Sequence, residues 1–165
     1  DGALKLQLTD NLTARGNVAW GQCKGYGLQS GHFLLEAKEI ADINSRGGVF
    51  CDHMQTLTSS AVVTYKFLER TTMTGQMLFA SGLRTAENAD AKTNSSHSPS
   101  YTIYNLSIAH VFPLPWDGQK FLLGFDIINL LGQTYYINQG EGSIGLGVTH
   151  AGMPRSFFFR GQWFF

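Results

Sequence analysis

Charge is what this chain lacks most. Charged residues make up 15% of it, against the ~25% usual in soluble domains. Lysine plus arginine number 12, as do aspartate plus glutamate, so no net charge and no basic stripe is left to attract a nucleic acid. Long apolar runs are also missing. No stretch approaches the ~20 apolar residues that a spanning helix needs, which excludes a helical membrane protein. The opening "DGALKLQLTDNLTARGNVAW" has neither an initiator Met nor a charged and apolar leader, so the chain is expected to be a mature product or a piece of something longer.

Glycine and aromatic residues are what it has in plenty, with 19 Gly and 13% Phe, Trp and Tyr. Mean hydropathy is nonetheless close to zero, at -0.08. That mixture suits strands that are apolar on one side and polar on the other. Seven stretches alternate with period 2: 3–9, 12–23, 55–67, 71–81, 101–112, 119–130 and 156–165. Most run ~9–12 residues, longer than the ~5–6 of soluble strands and close to a tilted membrane strand. Their connections alternate short and long. "DN" (10–11), "LER" (68–70) and "LPWDG" (114–118) are tight turns, whereas 24–54, 82–100 and 131–155 are long and polar. The expected fold is all-β, an antiparallel up-and-down transmembrane β-barrel segment with short periplasmic turns and long extracellular loops.

The two sides of each strand differ in chemistry. Phe121, Leu123, Phe125 and Ile127 alternate with Gly124 and Asp126. Ala61, Val63, Tyr65 and Phe67 alternate with Ser60, Thr64 and Lys66. Periodicity alone fits a small soluble barrel with an apolar interior equally well. The ending "PRSFFFRGQWFF" decides for lipid: Phe157, Phe159, Trp163 and Phe165 share one side and Arg160 and Gln162 the other, and core strands seldom end on an apolar terminal residue.

Five motifs in order resemble the C-terminal part of a TonB-dependent outer-membrane receptor. They are "SGHFLLEAKEIADINSRGGVFCDHMQTLTSS" (30–60), "LFASGLRT" (78–85), "PSYTIYNLSIAHVF" (99–112), "FLLGFDIINLLGQTYYIN" (121–138) and "GMPRSFFFRGQWFF" (152–165). The resemblance implies an active transporter in the outer membrane of a Gram-negative cell. Such a receptor imports a scarce nutrient, a ferric siderophore above all, with TonB-coupled energy. It implies no enzyme activity and no cofactor. Its partners would be outer-membrane lipid, a siderophore-like small molecule, the barrel-assembly machinery that reads Phe165, and the TonB system acting through a plug domain. That plug and the TonB box are not in this stretch, and seven strands fall short of the ~22 of a plugged transporter. Residues 1–165 are thus expected to be one wall segment. Arg15, Lys66, Asp126, Arg160 and Gln162 would face the lumen, and Phe157, Phe159, Trp163 and Phe165 the lipid and the assembly signal.

Other chemistry has less support in the residues. Cys23 and Cys51 flank the first long segment and could form a disulfide or stay as two thiols. His32, His97 and His150 fall in long loops, where they could touch a ligand or simply be solvated, and Tyr135 and Tyr136 lie near the outer rim, where they could line the substrate mouth or serve as aromatic-girdle and loop-anchoring residues. "EAKEIADI" (36–43) has helical spacing. "GEGSIG" (140–145) fits G-x-G-x-x-G but precedes no helical pattern, and "CDH" (51–53) has no second ligand cluster to complete a metal site. The alternatives are a small passive or structural barrel of porin type and an outer-membrane hydrolase. The hydrolase would need Ser30 with His32, or Asp52 with His53, and neither sits in a nucleophile motif.

Overall fold

The computed structural model describes residues 1–29, 36–51, 54–85, 93–116, 118–138 and 150–165. Seven long strands form one antiparallel sheet: β1 (Gly2–Thr9), β2 (Leu12–Trp20), β3 (Leu57–Leu68), β4 (Thr71–Ala80), β5 (Tyr101–Pro113), β6 (Lys120–Ile128) and β7 (Ser156–Phe164). Each pairs with its sequence neighbour, so the order is a simple meander. The expected all-β meander is therefore present. It does not close: β1 and β7 are the two ends of the sheet, each paired on one side only.

Register carries the alternation of single strands across the whole sheet. In an antiparallel pair, residues directly opposite each other share a face. Leu12, Tyr65, Met73, Ile108, Phe125 and Phe159 are opposed in turn from β2 to β7, giving one apolar row. One position along, Thr13, Thr64, Thr74, Ser107 and Asp126 form a polar row on the other face. The charged residues of the strands, Lys5, Arg15, Lys66, Lys120, Asp126 and Arg160, all fall on that polar face. A slip of one residue in any pair would reverse this sorting. The one imidazole on the apolar face, His110, bonds through Nδ1 to Thr71 Oγ1 at 2.6 Å.

Among the described residues, neither face is covered by a second layer. On the apolar face Trp20 is 68% exposed, Phe159 80% and Phe157 58%. The buried apolar residues Ile43, Val49, Ala80, Leu83 and Ile103 gather instead at the end of the sheet that carries the long connections. There α1 (Ala37–Ser45) starts at Glu36, whose side chain and that of Glu39 form a reciprocal capping box, which satisfies two of the free amides of the first turn. The sequence expected β2 to run to residue 23. It stops at Trp20, because Cys23 turns toward a two-residue ladder of Lys24–Gly25 with Val49–Phe50. Similar short ladders join Arg84–Thr85 to Ser96–His97 and Tyr136–Asn138 to His150–Ala151.

Candidate functional site

The three long connections leave from one end of the sheet; the described parts of the first and second are bonded to each other, and those of the third to themselves and to the sheet. Cys23 and Cys51 form a disulfide with Cα atoms 5.4 Å apart, and Cys51 N donates to Cys23 O at 3.1 Å. The Asn44 side chain clasps the backbone of Leu28 in both directions, each bond 2.8 Å. The first connection then reaches the second. Phe50 N donates to Thr93 O at 2.9 Å, and Asn94 Nδ2 donates to Phe50 O at 3.1 Å. Asn94 takes φ +52, a left-handed conformation that asparagine accepts better than most residues. Gly82, at φ +85, comes so close to Ser98 that a Cβ would lie 2.0 Å from the Ser98 carbonyl oxygen. Any larger residue would force the second connection apart.

Arg84 holds the junction. Its guanidinium lies over the Phe50 ring at 3.9 Å and donates to Ser95 O at 3.2 Å and Thr56 Oγ1 at 3.3 Å. His97 is nearby, with Nε2 3.4 Å from Thr56 Oγ1. Desolvation first, and the Arg84 charge second, hold the His97 pKa below its ordinary value. A depressed folded value means that the unfolded chain takes up the proton first. The contribution of His97 to stability is complete above its unfolded pKa of about 6.5 and is lost as pH falls through the lower folded value. An NMR titration should therefore place His97 below about 6.5, and Arg84→Gln should raise it. An unchanged value in that variant would remove Arg84 from the cause.

The third connection is anchored by Asn129, which ends β6 with φ +53 and is 1% exposed. Its Nδ2 donates to Gln133 O at 2.7 Å and Met153 O at 3.1 Å, while Oδ1 accepts from Gln133 N at 2.9 Å. Its backbone N–H reaches Asn105 Oδ1 at 2.9 Å. Asn129→Ala would orphan those buried groups and place Ala in the left-handed region, a loss of about 2–3 kcal/mol. Denaturant unfolding checks this, and a loss under about 0.5 kcal/mol would mean that water replaces the amide.

The polar face carries its own network. Ser60 Oγ bonds Asn17 Oδ1, Asn105 Nδ2 donates to Gln76 Oε1 at 3.0 Å, and Ser107 Oγ donates to Asp126 Oδ1. Arg160 Nη2 meets Asp126 Oδ1 at 3.4 Å. At the loop end of this face, a hollow of about 460 Å³ is bordered by Asn17, Gln55, Thr58, Tyr101, Asn105 and Tyr135. The Tyr101 and Tyr135 rings pack with centroids 4.7 Å apart, and Gln55 Nε2 points to the Tyr101 hydroxyl at 3.4 Å. The Tyr135 ring lies directly on Gly152, where a Cβ would be 2.0 Å from Cζ.

Set against the sequence expectations, the positions divide clearly. Arg15, Lys66, Asp126, Arg160 and Gln162 are on the polar face; Phe157, Phe159 and Trp163 are on the apolar one. Phe165 follows the end of β7 and is fully exposed. Of the candidate ligand contacts, Tyr135 borders the hollow, Tyr136 and His150 lie in the short ladder, and His97 sits beside Arg84. His32, Ser30, Asp52, His53 and residues 140–145 lie outside the described residues. Sequence reasoning missed Tyr101, Asn17 and Gln55, which read only as strand residues and converge through pairing. No protein-family profile matches the chain, and no curated protein matches it.

Proposed function

We propose that this chain is a wall segment of an outer-membrane β-barrel of the TonB-dependent receptor type, in which its apolar face meets lipid and its polar face the lumen. One observation carries the reading: a seven-stranded sheet whose charges all lie on one face while the other is an uncovered field of aromatic and aliphatic side chains. Water is a poor solvent for such a field, and exposed apolar patches of that extent mark a membrane or a partner. Aromatic residues toward the turn end of β3, β5, β6 and β7, namely Tyr65, Phe67, Phe112, Phe121 and Trp163, suit a membrane interface.

In this reading the segment does no covalent chemistry. It supplies barrel wall and outer loops that help capture a nutrient, and the resemblance implies a ferric siderophore as cargo. Energy comes from TonB through a plug domain, and the assembly machinery reads Phe165. An antibody to residues 82–100 tests this on outer-membrane fractions of the source cells. The expected band is several times the 18.2 kDa of this chain, in the outer membrane. A band near 18.2 kDa would sink the transporter and leave a small passive barrel.

A further inference from the structure

The hollow beneath the loops has a composition that bears on the cargo. Its border, among the described residues, contains no charged side chain. Arg15 and Asp126 border neighbouring hollows instead. What it offers is two packed tyrosine rings, three carboxamides and several hydroxyls, set in an apolar lining that includes Leu78, Ile103, Ile128 and Ile137. Several of these groups are unspent: among the described residues the Asn17 amide nitrogen and the Thr58 and Tyr135 hydroxyls make no hydrogen bond, although Asn17 Oδ1 is engaged by Ser60. At about 460 Å³ the space is within the ~300–1,000 Å³ of small-molecule sites.

A multiply anionic iron chelate would need cationic side chains here to replace its hydration. A neutral polyol needs the opposite: flat aromatic surface for its C–H faces, and donor–acceptor groups such as carboxamides and hydroxyls for its own hydroxyls. Resting on the receptor reading above, though not on its siderophore cargo, we infer that this hollow is a subsite for a neutral saccharide. A sugar ring packs on the Tyr101–Tyr135 pair and bonds Asn17, Gln55 and Thr58. Gly152 is part of the device, since only a residue without Cβ lets Tyr135 take this position.

The test uses the native protein, solubilised from outer membranes and applied to an array of neutral oligosaccharides, with ferric citrate and a ferric tris-catecholate as anionic probes. Retention of a neutral oligosaccharide is expected. The affinity should fall at least tenfold in Tyr135→Ala and in Asn17→Ala, fall less in Tyr135→Phe, and stay unchanged in Tyr104→Phe on the opposite face. Strand content by circular dichroism separates loss of binding from loss of fold, and Asn17→Ala keeps the test decisive if Tyr135→Ala misfolds. Binding of a ferric probe with no saccharide retained, binding of nothing, or saccharide binding indifferent to Tyr135 and Asn17 would each overturn the inference. All three leave the receptor reading standing. Absence of the protein from outer membranes would instead bring down that reading and the inference with it.

Discussion

Under the proposed wall-segment reading, Phe125→Arg is expected to empty the outer membrane of this protein, whereas Leu122→Arg, three residues away on the same strand, is expected to leave it in place. Phe125 sits mid-strand in the apolar row, its ring 5.0 Å from Phe159 and 6.1 Å from Phe157. An arginine on a lipid face near the bilayer midplane costs about 2–4 kcal/mol, and the lost aromatic packing adds about 1–2 kcal/mol. Together they approach the whole stability of an ordinary domain. Leu122 is opposed to Gln162 and Val111 on the polar face, where a further cation meets water. The comparison is read from the amount of each variant recovered in outer membranes. Equal loss would mean that both faces are packed by protein. A Phe125→Arg protein that is more soluble and equally stable would mean that the apolar face never meets lipid.

Reduction of the Cys23–Cys51 bond is expected to be the second large effect, confined to the loop end. The two residues are separated by 28 positions, and closing a loop of that length in the unfolded chain is worth about 3–4 kcal/mol. The bond lies beyond the end of β2 and before the start of β3, so the sheet should survive its loss. Limited proteolysis after reduction should cut between residues 24 and 50 while the strands stay intact. Unchanged resistance would show that the Asn44–Leu28 clasp and the Phe50–Thr93 bond hold the segment by themselves.

How much of this was legible beforehand follows from the range of each interaction. The long strands and tight turns could be read because a half-covered strand repeats every two residues, as "FLLGFDII" does in β6. The helix could be read because Ala37, Ile40 and Ala41 recur at its period, though it runs to Ser45 rather than stopping at 43. The two-residue ladders left no trace, since two residues contain no period. Asn129 could not be singled out as a hub, because its worth lies in a positive φ and in partners as distant as Met153. Spacing left the cysteine pair open for the same reason: a bridge depends on where the backbone brings Cα atoms, not on their number. Of the two adjacent tyrosines only Tyr135 borders the hollow, and nothing in "TYYIN" distinguishes them.

The two unpaired margins of the sheet set how this chain behaves when it is produced by itself. Along the outer side of β1 and of β7, every second residue presents an amide hydrogen and a carbonyl with no strand to receive them. In hydrocarbon each such group carries a penalty of several kcal/mol, so the margins have an unfilled valence that only further strands can saturate. In water the same margins flank a sheet rich in exposed Leu, Phe and Trp, the arrangement from which ribbons and fibrils grow. Produced by itself, the chain is a monomer unit in the polymer sense, expected to add copies side by side until the supply of chains, not the geometry, stops it.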